Sequence, residues 1–130
     1  MNLVTVETAS LSGHALDWAV AKAEGLEVFL APPHYGVPWR VLWKKRGEAL
    51  SWDVLYNPHE DWALAGPLMV KHCAQFEEEP ARWLCKTSNE LSSAIRGWAL
   101  GADHLEALCR AVVSAEIGET VQIPEVLING

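Results

Sequence analysis

Between Ser12 and Gly25 the sequence carries the start, the buried face and the end of one helix. Ser12 is of N-cap type, and Leu11 with Leu16 has hydrophobic-staple spacing. Leu16, Ala19, Val20 and Ala23 recur at helical spacing, Trp18 widens the stripe, and Gly25 stands where a left-handed C-cap ends a helix. A second segment has the same grammar. Asp103 and Glu106 form a capping-box pair, Leu105, Leu108, Cys109, Val112 and Val113 make an apolar face, and Gly118 closes it. Two amphipathic helices must bury their stripes against something, and the remaining sequence predicts sheet.

Leu3-Val4-Thr5-Val6 and Glu27–Leu30 read as short strands, the latter ended by Pro32-Pro33. Val121–Pro124 is an extended tail of edge-strand character, because Pro124 cannot donate a ladder hydrogen bond. Val37, Trp39, Val41 and Trp43 alternate with other residues, as do Leu50, Trp52 and Val54, and the charged loop 44–49 separates the two runs. Pairing Trp43 with Leu50, Val41 with Trp52 and Trp39 with Val54 puts all six on one face of a hairpin, packed on the helices. This register predicts a buried Trp52, whose change to alanine would cost about 3–5 kcal/mol.

Tyr56 to Gly66-Pro67 reads as an ordered loop, Leu68-Met69-Val70 as a short strand, and Glu77–Pro80 as a solvated turn or helix start. Trp83-Leu84-Cys85 fits helix or strand. Thr87 and Glu90 match a capping box, and Leu91, Ala94, Ile95 and Trp98 follow at helical spacing, although Gly97 weakens that helix. No internal repeat is present. The expected fold is α+β: one domain over residues 1–130, with a small, mostly antiparallel sheet packed against two or three helices.

Composition narrows the function. Half of the 130 residues are apolar, so the chain is not a disordered one, and no run approaches the ~18 apolar residues of a membrane span. The first basic side chain is Lys22, so no charged n-region of a secretory signal is expected. Ten basic against 17 acidic side chains, a net charge of -7, argue against nucleic acid as partner. The cations Lys44, Lys45 and Arg46 are expected to be a solvated loop. Cys73, Cys85 and Cys109 are read as reduced thiols packed as small apolar groups in a cytoplasm. Seven tryptophans imply a bulky mixed core or aromatic surface offered to a ligand.

Catalytic patterns are missing from the sequence. It has no Gly-rich phosphate loop, no G-x-S-x-G elbow and no paired C-x-x-C. His59-Glu60 starts like a zinc-protease helix motif, but Ala63 stands where the second histidine belongs. His72, Cys73 and Cys85 are too widely spaced to suggest a zinc site. His14 and His104 fall in first helical turns, as neutral surface histidines do. No catalytic residue, metal or cofactor is expected, and the chain reads as a non-enzyme. The densest polar and aromatic stretch is Tyr56-Asn57-Pro58-His59-Glu60-Asp61-Trp62. His59, Asp61 and Trp62 are the candidate recognition residues, with Trp39 or Arg40 from the adjacent strand beside them. The competing account has Asn57 or Asp61 capping the backbone and Trp62 plugging the sheet edge.

These residues carry a family likeness. Leu11-Ser12-Gly13, Ala15–Lys22 and Glu24-Gly25 resemble the opening signature of the NinX-like phage proteins. Asn57-Pro58, Asp61-Trp62 and Gly66-Pro67 are similar to that family's central segment. Gly101, Leu105, Ala107, Arg110-Ala111, Val113, Gly118, Val121 and Pro124 resemble its C-terminal helix and tail. His59-Glu60 departs from the family's small hydroxyl residues, and residues 71–100 match poorly. The resemblance implies a phage or prophage accessory protein in the bacterial cytoplasm, and it implies no reaction. The expected partner is a host or phage protein, with no membrane and no nucleic acid. The alternative is a small-molecule protein that stacks a nucleotide-like signal on the aromatic loop 56–67.

Overall fold

Both capped helices are present. In the computed structural model, which describes residues 1–129, the order is β1 (Leu3–Glu7), a 3-10 turn at Thr8–Ser10, α1 (Gly13–Ala23), β2 (Val28–Ala31), β3 (Arg40–Arg46) and β4 (Ser51–Leu55). Then follow α2 (Trp62–Lys71), β5 (Gln75–Glu79), β6 (Arg82–Asn89), β7 (Ser92–Gly101), α3 (His104–Glu116), β8 (Thr120–Pro124) and the short α4 (Val126–Asn129). The architecture is α+β, and every strand pairing among the described residues is antiparallel. The strands divide into three small sheets, ordered β1-β8, β2-β3-β4 and β5-β6-β7.

Helix ends follow the sequence. Gly25 adopts φ +69, and the chain turns there as Leu26 N–H donates to Ala21 O at 2.9 Å. Asp103 accepts from Glu106 N–H at 2.8 Å, while Glu106 Oε1 accepts from Ala102 N–H at 3.0 Å. Ser12 is at the N-cap of α1 without a side-chain cap bond. Leu16, Val20, Val41, Leu108, Val112, Val113 and Ile123 are fully buried where α1 and α3 meet the sheets. Close approach of α3 to β7 depends on two glycines. A Cβ on Gly97 would lie 2.6 Å from Ala111 O and 2.7 Å from Ala115 N, and one on Gly101 would collide with Ala107 N.

Several expectations need correction. The hairpin β3–β4 forms, but Trp43 pairs with Val54 and Lys45 with Trp52. Lys44, Lys45 and Arg46 are strand rather than loop, because the hairpin tip projects beyond the core and charge there costs nothing. Gly47 N–H closes the turn on Leu50 O at 2.7 Å. A shift by an even count keeps Val41, Trp43, Trp52 and Val54 on one face, but it moves Trp52 to the tip at 49% exposure and leaves Leu50 at 76%. Trp52 is therefore no core residue.

The supposed loop and strand of residues 62–70 are α2. Leu64 with Leu68, and Ala65 with Met69, share a face one turn apart, and Ala65 and Leu68 are buried. Pro67 lies inside the helix on its exposed side and costs it one backbone hydrogen bond. Glu77–Glu79 lie in β5, with Ala81 at φ +62 turning the chain into β6. Residues 87–98 form no helix: Thr87 is in β6 and donates from Oγ1 to Gly97 O at 3.2 Å, and Leu91 sits at 97% exposure in the β6–β7 turn. Its helical spacing had no core to face. Finally, of the seven tryptophans only Trp18 is buried in the core, while Trp52, Trp62 and Trp98 are exposed.

Candidate functional site

The turn after β4 is built on hydrogen bonds. Tyr56 N–H still donates to Val41 O at 2.9 Å, continuing the ladder, and its buried ring packs edge-on against Trp43 at 5.9 Å. Asn57 O accepts from both Glu60 and Asp61 N–H at 3.0 Å, and Asn57 Nδ2 donates to Glu60 Oε1 at 2.9 Å. Asp61 caps α2 by accepting from Ala63 N–H at 2.9 Å. A chain segment so pinned presents its side chains in fixed directions.

The turn is fastened to α1 by Asp17. This carboxylate is fully buried, and it accepts from His59 N–H at 3.1 Å. His59 Nδ1 lies 2.8 and 2.7 Å from the two Asp17 oxygens, so that nitrogen carries the proton and donates. His14 Nδ1, one helical turn before Asp17, is 3.2 Å from Oδ2. The rings of His14 and His59 meet edge to face at 5.7 Å. The hydrogen bond to Asp17 raises the His59 pKa, burial opposes that rise, and the charges of Asp17, Glu60 and Asp103 add to it. Ligand-capable atoms of His14, Asp17 and His59 all fall within 4.8 Å of one another.

Beside this cluster lies an aromatic group. Trp62, first residue of α2, is 58% exposed and its ring is 6.1 Å from His104. His104, first residue of α3, leans on Trp83 at 3.8 Å and on Phe76 at 5.1 Å. Its place among these rings is not that of an unremarkable surface histidine. Trp62 is too exposed to plug a sheet edge, whereas Asp61 does cap the backbone.

Trp39 and Arg40 are half-buried at the entry to β3, and Arg40 Nε is buried without a partner. Among the described residues no hydrogen bond or ring contact joins either to His59, Asp61 or Trp62. Sequence reasoning missed Asp17, His14 and His104. The signal for Asp17 was available: it is a carboxylate inside the apolar run from Leu16 to Val20.

Two further features lie elsewhere. His72 is buried and donates from Nε2 to Glu24 Oε2 at 2.9 Å, while Lys71 Nζ donates to Glu24 Oε1 at 2.9 Å. A groove of about 540 Å³ is lined by Glu7, Thr8, Trp98, Arg110 and Glu119, and none of the sequence candidates borders it.

Residues 7–116 match a protein-family model described as Bacteriophage P22, NinX. The chain belongs to this family. Both Asp17, which holds the central turn, and Asp61, which caps α2, lie inside the segment that matches NinX. So do α1, the turn and all of α3. Comparison with curated proteins found no match. Among the described residues no helix is long and apolar enough to cross a membrane.

Proposed function

We propose that the chain is a non-enzymatic phage or prophage accessory protein that acts in the bacterial cytoplasm by binding a host or phage protein. Its recognition surface is the turn from Asn57 to Trp62 with the rings of His104 and Trp83 beside it; Trp39 and Arg40, which no hydrogen bond or ring contact among the described residues joins to that turn, are left out of it. One observation carries this reading: the Trp62 indole is 58% exposed on a backbone that Asp17 and Asp61 hold rigid. A rigid aromatic side chain loses little entropy on docking, and tryptophan is a favoured anchor at interface centres. Glu60 and Asp61 give the anchor a polar rim.

The experiment places a photo-crosslinking residue at Ala63, exposed beside the Trp62 anchor, during expression in the bacterial host. The expected result is a discrete crosslinked product that wild-type protein competes away and Trp62→Ala does not. The same label at Leu91, exposed in the β6–β7 turn, provides the background. Crosslinking at 63 no stronger than at 91 overturns the proposal.

A further inference from the structure

We propose that His14, Asp17 and His59 bind one divalent transition-metal ion of the zinc, cobalt and nickel group. The site goes beyond partner recognition and stands independently of it.

The first support is geometric. Asp17 Oδ2 is faced by two imidazole nitrogens, His14 Nδ1 at 3.2 Å and His59 Nδ1 at 2.7 Å. Ligand atoms on one tetrahedral zinc, each about 2.0–2.1 Å from the metal, stand roughly 3.3 Å apart. The His59 ring has to draw back from the carboxylate by a fraction of an ångström, and the ligand atoms of all three residues already lie within 4.8 Å of one another. Two histidines and one carboxylate on one side of an ion leave its other positions open, and both imidazoles are partly exposed.

The second support is electrostatic. Asp17 is fully buried, and among the described residues no lysine or arginine pairs with it. Among the described residues its charge is met only by the two imidazoles and one backbone N–H. A metal ion that displaces the Nδ1 proton of His59 supplies a stronger counter-charge to that buried carboxylate than a shared proton does.

The third is the outer shell. The far nitrogen of His59, Nε2, lies 3.7 Å from Glu60 Oε2, and Glu60 is itself held by Asn57. A carboxylate hydrogen-bonded to the distal nitrogen of a ligating histidine orients such rings in metal sites, and at 3.7 Å Glu60 is a charge contact that has to close by about 0.8 Å to make that bond. Glu60 is thus the positioning residue. The ligands were hidden from spacing rules because His59 is separated from Asp17 by 42 positions.

The test is titration of the purified, chelator-treated chain with Co²⁺ and Zn²⁺, followed by cobalt absorption and calorimetry. One equivalent is expected to bind, with cobalt bands of a nitrogen and oxygen site. His14→Ala and His59→Ala, both replacing partly exposed side chains, should abolish that equivalent while their circular dichroism stays native. Glu60→Gln should weaken it about 10–100-fold. His34→Ala, at an exposed site away from the cluster, should bind like wild type. If neither ion binds stoichiometrically, or if folded His14→Ala and His59→Ala retain the equivalent, the proposal is overturned. All of these readouts use the isolated chain, so they are distinct from the crosslinking result at position 63.

Discussion

The side chain of Asp17 holds the main-chain N–H of His59, so a residue in the middle of α1 sets the course of a turn 42 positions later. Asp17→Ala leaves that N–H and two imidazoles without their acceptor. The expected loss is about 3 kcal/mol of unfolding free energy, read from urea denaturation at neutral pH. A loss under about 1 kcal/mol would show that the turn is held by its own hydrogen bonds.

Asp61 and Trp62 are adjacent but should respond differently. Asp61→Ala removes the α2 cap and should cost about 1 kcal/mol. Trp62→Ala, at an exposed position, should stay within about 0.5 kcal/mol of wild type while losing the crosslinking partner. Thermal denaturation of both variants beside the competition experiment separates anchor from cap.

Gly97→Ala places a methyl group against Ala111 O and Ala115 N on α3. Backbone cannot yield as a flexible side chain does. The expected cost is about 1–3 kcal/mol, seen as a lowered melting temperature. Trp52→Ala, by contrast, should cost far less than the 3–5 kcal/mol of a buried tryptophan, about 1 kcal/mol at most.

Glu24 makes stability depend on pH at the acidic end. Burial pushes its carboxyl up, but hydrogen bonds from His72 and Lys71 and their charges outweigh it and hold the pKa below the ordinary 4.5. A carboxylate with a depressed folded pKa contributes stability that is fully present above its unfolded value and is lost as pH falls through the folded one. Glu24→Gln should therefore be less stable than wild type by about 1 kcal/mol at pH 7. The difference should shrink progressively below pH 4.5, as chemical denaturation across that range would show.

The thiols should react unequally. Burial pushes the Cys85 thiol up to about 12 and that of Cys109 well above its ordinary range. Cys73 is half-buried at a left-handed position after α2. With a thiol reagent at neutral pH, one group should react quickly in the native protein and three after denaturation. Rapid native labelling of two or three would contradict the packing around α3.

What the sequence discloses follows the range of the interactions. Caps and apolar faces are local, so α1 and α3 were legible from Ser12, Gly25, Asp103 and Gly118. Register is set by the turn, and Gly47 closing on Leu50 was invisible beside three cations that looked like loop. Helical spacing from Leu91 to Trp98 misled because periodicity locates a buried face only where a core exists. In the candidate site, His59, Asp61 and Trp62 were legible as residues, but only Asp61 in its role. Asp61 is a cap, a local role that one of the two sequence accounts contained, whereas His59 as a bridge to α1 and Trp62 as an exposed ring depend on how the turn packs in the tertiary structure.

The pairing of β1 with β8 has a kinetic consequence. β5, β6, β7 and α3 follow one another without a break from Gln75 to Glu116, so their pairings close short loops. Leu3 and Pro124 instead meet across nearly the whole chain. Loop closure grows costlier with length, and contacts distant in sequence form late. The β5–α3 unit is therefore expected to be the first part to assemble. The terminal sheet is expected to be the last part to form and the first to open.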